Sequence, residues 1–164
     1  MDKPIQAALN EQINAELHSA YTYLAMSAHF AEQNFDGFAH WMRHQADEEM
    51  EHAMKLFDYV LERGGHVELT AVAAPAKKLG TPLKAFEAAL AHEKKISGMI
   101  RDLFELSRKN KDYATELHLG WFVTEQVEEE DNAGQAVEKL RRAGDSTTAL
   151  LFLDKQFGKR SDEG

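Results

Sequence analysis

Apolar residues along this chain recur at steps of four and three over four long stretches, the spacing that lines up one stripe of a helix. In the second stretch the stripe runs Phe38, Met42, Gln45, Glu49, His52, Leu56, Tyr59. It is apolar at both ends and carries a carboxylate and an imidazole in its middle. The first stripe reads Leu9, Ile13, Glu16, Ala20, Tyr23, Ser27, Phe30, and the third Leu83, Phe86, Leu90, Glu93, Ser97, Ile100, Phe104. The fourth includes Phe122, Gln126, Glu129, Ala133, Val137 and Leu140.

These stripes predict helices over about 5–34, 36–63, 82–110 and 113–143. Asn34-Phe35-Asp36-Gly37 reads as a turn with Asp36 capping the second helix, which stops at Gly64-Gly65. Thr81 and Pro82 open the third, Asp112 caps the fourth, and Gly144 ends it. Residues 64–81 break the pattern, and His66-Val67-Glu68-Leu69 reads as a short extended piece. A segment that long can cross a whole bundle, which makes the second and third helices parallel. Ser146 caps a short fifth helix over 147–157, apolar nearly all round and expected at a subunit contact, and 159–164 reads as a solvated tail. The expected fold is all-α, a four-helix bundle with a long crossover and a C-terminal fifth helix, as one domain over residues 1–164.

Composition narrows the chemistry. The net charge of −9 argues against nucleic acid, which needs a basic face, and fits a surface that handles cations. With no cysteine, thiolate metal sites, disulfides and cysteine nucleophiles drop out. The start, Met1-Asp2-Lys3-Pro4, has no apolar signal region, and no run is long enough for a membrane span, so a cytoplasmic location is expected.

Ligand-type residues stand at the middle of all four stripes: Glu16, Glu49 with His52, Glu93, and Gln126 with Glu129. A lone glutamate on a helix is ordinarily solvated, and a lone histidine ordinarily a hydrogen-bonded core residue. Here each sits between apolar neighbours on its own helix, and an unpaired buried charge costs several kcal/mol unless a partner or metal meets it. The arrangement resembles the di-iron carboxylate pattern of ferritin-like bundles, with Gln126-x-x-Glu129 in place of a second Glu-x-x-His. Oxygen and imidazole ligands suit iron, manganese or zinc. Glu49 and Glu129 are the candidate bridges, His52 and Glu16 the ligands of one iron, and Glu93 of the other. Tyr23 and Gln45 are placed to supply hydrogen bonds around them, although Tyr23 equally suits plain core. Glu48, Glu125 and Glu128 lie about 100° round from the stripes; they read as a solvated acidic face or as a third, weaker metal site.

Over essentially its whole length the chain is similar to the bacterial non-haem ferritins. The likeness runs through Leu9-Asn10-Glu11-Gln12, Glu16-Leu17, Glu48-Glu49-Met50-Glu51-His52 and Leu56-Phe57-Asp58-Tyr59. It continues in His92-Glu93, Trp121, Glu125-Gln126-Val127-Glu128-Glu129-Glu130 and Leu153-Asp154-Lys155. The resemblance implies a 24-subunit hollow cage, with the fifth helices near its fourfold axes, that oxidises Fe(II) with oxygen or peroxide and stores the ferric mineral. It also implies a ferroxidase centre of Glu16, Glu49, His52, Glu93, Gln126 and Glu129, with Glu48, Glu125 and Glu128 at a third iron site.

Several rivals share parts of the pattern. A bacterioferritin would add haem between subunits, and Met50 stands in the right neighbourhood for its ligand; the missing second Glu-x-x-His argues for the non-haem branch. DNA-protecting mini-ferritins lack the fifth helix, and rubrerythrins carry a cysteine-rich iron module. A di-iron oxidase acting on an organic substrate would need a substrate pocket, and a purely structural bundle would bind no metal. The remaining histidines, His18, His29, His40, His44, His66 and His92, read as surface or contact residues, and His118 as partly buried.

Overall fold

The structure, a computed structural model, describes residues 1–160. Five helices form: α1 (Lys3–Glu32), α2 (Asp36–Glu62), α3 (Pro82–Lys109), α4 (Tyr113–Ala143) and α5 (Thr147–Phe157). Among the described residues there is no strand, so His66 to Leu69 belong to an irregular crossover. The first helix begins and ends slightly earlier than the stripe suggests. Pro4 fits its first turn, where an absent N–H is no loss, and Asn34 adopts a positive φ of 61° that stops it.

Pairings fix the topology. Ser27 bonds to Ala39 near the first turn, while Tyr23 meets Glu93 and His29 meets Gly80 further along. Helix α1 is therefore antiparallel to both α2 and α3, and α2 and α3 run parallel. The crossover climbs one face of α1, where Gln6, Asn10 and Asn14 stand four residues apart. Gln6 Oε1 accepts from the His66 amide at 2.8 Å, Asn10 brackets His66 and Glu68, and Asn14 Nδ2 donates to Thr70 Oγ1 at 2.9 Å.

The caps mostly follow the sequence. Thr81, Asp112 and Ser146 each accept from the amide three residues on. The exception is α2, where Phe35 holds the N-cap position and Asp36 is the first helical residue without a capping bond. Asp154 from α5 does that work instead, accepting from the Phe38 amide at 2.8 Å. Gly37 lets the two elements touch: a Cβ there would lie 1.6 Å from the Asp154 carbonyl oxygen. Of the apolar face of α5, Leu153 and Phe157 are buried, and Leu151 and Phe152 remain exposed.

Two apolar blocks fill the bundle. One gathers Phe30, Phe38, Trp41, Phe86 and Phe157 at the α5 end. The other gathers Ile5, Leu9, Leu56, Ile100 and Phe122 at the far end. The polar mid-stripe residues form a layer between them. Close-packed blocks on both sides keep those side chains from swinging out to water.

Candidate metal centre

Glu16, Tyr23, Gln45, Glu49, His52, Glu93, Gln126 and Glu129 are all at most 5% exposed, although they come from four different helices. A helix rises about 1.5 Å per residue, so matching depth follows from where each ligand stands within its stripe. Ligand atoms of Glu16, Glu49 and His52 all lie within 4.8 Å of one another, and so do those of His52, Glu125 and Glu129.

A ring of donors orients the carboxylates. Gln12 Nε2 donates to Glu16 Oε1 and Gln45 Nε2 to Glu129 Oε2, both at 2.8 Å. The Tyr23 hydroxyl donates to Glu93 Oε1. Gln126 Nε2 reaches Glu93 Oε2 at 3.2 Å and Ser97 Oγ at the same distance. The inner atoms lack such partners. Both oxygens of Glu49, Glu16 Oε2 and Gln45 Oε1 are buried without a hydrogen bond. His52 Nδ1 stands 3.4 Å from Glu49 Oε2 without completing one.

The layer is thus satisfied on its outer side and unsatisfied on its inner side. That is the wrong arrangement for a structural polar network, because each orphaned carboxylate oxygen forfeits its full hydration. It suits multivalent cations, which take oxygen and imidazole ligands and cancel the charge. Burial, with Glu16 and Glu93 close by, pushes Glu49 well above the usual carboxylate range. Burial raises Glu93 too, against the opposing bonds from Tyr23 and Gln126. Glu129 is pushed up to about 8 by burial and then by the charge of Glu93. Burial and the same carboxylates hold Tyr23 protonated well beyond its ordinary value. The carboxyls of the layer therefore hold protons that a metal must displace.

Beside this layer an open groove on the α2–α4 face is lined by Asp47, Glu48, Glu51, Asp58, Trp121 and Glu125. The His52 ring forms part of its floor, edge-on to Trp121 at 5.4 Å between centroids. Of the third set expected from the sequence, Glu48 and Glu125 line this groove, and the charge of Glu128 helps raise the Glu125 carboxyl. Glu125 Oε1 lies 3.9 Å from His52 Nε2, and Glu128 is exposed. Glu48 is bound by Arg160 Nη2 at 2.8 Å and lies 3.2 Å from His44 Nδ1. Arg160 falls within the stretch expected to be a solvated tail; 161–164 lie outside the described residues.

Other departures are instructive. Gln12, one turn before Glu16, lies off the line through Leu9, Ile13 and Glu16, so the stripes assign it no part in the layer. His92 is not a simple surface residue: it packs between α1 and α3, with Nε2 2.6 Å from Ser19 Oγ. Burial and the neighbouring His18 and Lys95 lower its pKa to about 4. His118 stacks on Tyr59 at 3.9 Å between centroids, away from the carboxylate layer. Met50 is 44% exposed on α2.

A helical bundle whose mid-layer presents carboxylates and one imidazole with orphaned inner atoms offers a set of groups that can hold a metal ion. Residues 6–143 match the family model described as a ferritin-like domain. The chain is 42% identical over 160 residues to a bacterial non-heme ferritin of Bacteroides fragilis, covering 98% of this chain and 99% of that one. It is 39% identical over 161 residues to the bacterial non-heme ferritin of Staphylococcus epidermidis, covering 98% and 97%. An open pore ferritin of the hyperthermophilic archaeon Archaeoglobus fulgidus superimposes with a TM-score of 0.97 at 48% identity, over 98% of this chain and 99% of that one. The chain belongs to the ferritin family. No helix among the described residues is long and apolar enough to cross a membrane.

Proposed function

We propose that this protein is a cytoplasmic iron store with ferroxidase activity, built as a 24-subunit homo-oligomeric cage. The observation that carries the reading is the inner face of the layer: Glu16 Oε2 and both oxygens of Glu49 buried without partners beside His52. In this account iron is the substrate and cargo. Glu16, Glu49 and His52 hold one Fe(II), Glu93 holds the second, and Glu49 and Glu129 bridge, with Gln126 beside them. Two Fe(II) ions give up one electron each, and dioxygen takes both electrons and two protons to leave as hydrogen peroxide. With peroxide as oxidant, the same two electrons and two protons yield two waters.

The chain's own groups prepare that step. Gln12, Gln45 and Tyr23 hold the carboxylates in place, so little reorganisation remains when iron arrives. Protons leave Glu49, Glu93 and Glu129 as the cations enter. Bridging carboxylates adjust as the metal charge rises, and the ferric product passes to the cage interior by way of a third, weaker iron site, formed by Glu48 and Glu125 of the acidic groove with Glu128 beside them. No haem enters this reading.

Anaerobic titration of the apoprotein with Fe(II) tests it. Two tightly bound irons per chain are expected, with both weakened in Glu49→Gln, which keeps the shape and removes the bridging charge. A wild type that binds no Fe(II) above the level of Glu49→Gln overturns the assignment.

A further inference from the structure

Arg160 is fixed at three points. Its guanidinium donates to Glu48 Oε2 at 2.8 Å and lies 4.7 Å above the centre of the Trp41 ring. The residue's own carbonyl accepts from His40 Nε2 at 2.8 Å. Only 18% of the Arg160 side chain and 28% of the Glu48 side chain is exposed, so this is not a loose surface pair. Arg160 Nη1 is buried with no hydrogen-bond partner of its own, which leaves part of the positive charge turned into the protein. Its charge is also felt at Glu129, one of the buried layer carboxylates.

Glu48 directly precedes Glu49 and lines the acidic groove with Glu125. A ligand carboxylate already engaged by a cation is a poor ligand for another, because the second must first displace the first. We infer that Arg160 is a resident cation competing with iron for Glu48, and that it is the residue that sets the occupancy of the third iron site. The inference rests on the third site proposed above. In the free protein the arginine neutralises Glu48 and steadies the chain end against α2. When iron enters the groove, the guanidinium gives way and can stay stacked on Trp41. The third site then fills only at higher free iron, after the two tight positions.

The test is anaerobic Fe(II) binding by equilibrium dialysis on the assembled wild-type protein, Arg160→Ala, Arg160→Lys and Arg160→Ala/Glu48→Gln. A weaker third class of site is expected in wild type. It should tighten on the order of five- to tenfold in Arg160→Ala, the scale of losing one partly buried ion pair. Arg160→Lys should stay close to wild type, and the double variant should lose the gain. Thermal melts by circular dichroism check that each variant is folded. A third class of equal affinity in wild type and Arg160→Ala overturns the role of Arg160 and leaves the third site standing. Two tight irons per chain with no third class in any variant overturns both.

Discussion

The side-chain amide of Gln45 on α2 spans the bundle to Glu129 on α4, 2.8 Å from Nε2 to Oε2, with both residues at most 2% exposed. This bond favours the ionised form of a carboxyl that burial and the charge of Glu93 nevertheless hold up at about 8. Removing it in Gln45→Leu raises that value further, and metal must then compete with a more firmly held proton. Fe(II) affinity should fall by about tenfold at pH 6.5, roughly one pKa unit's worth. The deficit should shrink at pH 8.5, where the proton is leaving anyway. Anaerobic titrations at the two pH values check this; an equal deficit at both points to a packing effect.

The layer trades apoprotein stability for metal binding. Both oxygens of Glu49 are buried without a hydrogen bond, so a shape-matched apolar residue relieves desolvation rather than adding a defect. Glu49→Leu should stabilise the metal-free protein by about 1–3 kcal/mol in chemical denaturation. The same change should abolish stabilisation by Fe(II). A less stable apoprotein would mean the carboxylate has a structural partner.

The raised carboxyls also set a pH dependence. For Glu49, Glu93 and Glu129 the folded state binds protons more tightly than the unfolded chain. Their contribution is fully present below the ordinary carboxylate range and is lost as pH rises through the folded value, about 8 for Glu129. Asp112 acts in the opposite sense: hydrogen bonds from Arg63 and Thr115 outweigh burial and lower its pKa, so its contribution is lost as pH falls through that lowered value. Melting of the metal-free protein in chelator should therefore fall from pH 5.5 to pH 8.5 and turn over at the acid end. Metal-loaded protein should lack the fall, since the protons are already gone.

Much of this was legible in the stripes. Glu16, Glu49, His52, Glu93, Gln126 and Glu129 each interrupt an apolar line, and helical spacing alone brings each of them inward. Tyr23 and Gln45 could be placed because they share those lines. The crossover was visible as a loss of period flanked by Gly64-Gly65 and Thr81-Pro82, and its length implied parallel α2 and α3. What stayed hidden depends on distant segments meeting. Asp154 supplies the cap that Asp36 does not, across 116 positions, and Arg160 reaches Glu48 across 112. His92 lies off the stripes and reads as a surface or contact residue; that it is half-buried depends on how α1 meets α3.

The docking of α5 gives a separate check. Asp154→Ala removes the acceptor for the Phe38 amide, a loss of about 1 kcal/mol for a helix cap. Gly37→Ala should be worse, because the added methyl meets the Asp154 carbonyl backbone itself. Unfolding midpoints should rank wild type, Asp154→Ala, Gly37→Ala in falling order. If Gly37→Ala equals wild type, α5 does not sit against the start of α2.

The most direct measurement adds Fe(II) in air to the metal-free protein and to His52→Ala, following ferric absorbance in the near ultraviolet and counting the iron that stays in solution with protein. Fast oxidation by wild type is expected, slowed at least about tenfold in His52→Ala by loss of a metal ligand, with soluble ferric iron far in excess of the ligands available in each chain. Oxidation no faster than in protein-free buffer would contradict it, and fast oxidation with only about two irons kept per chain would leave a di-iron oxidase in place of a store.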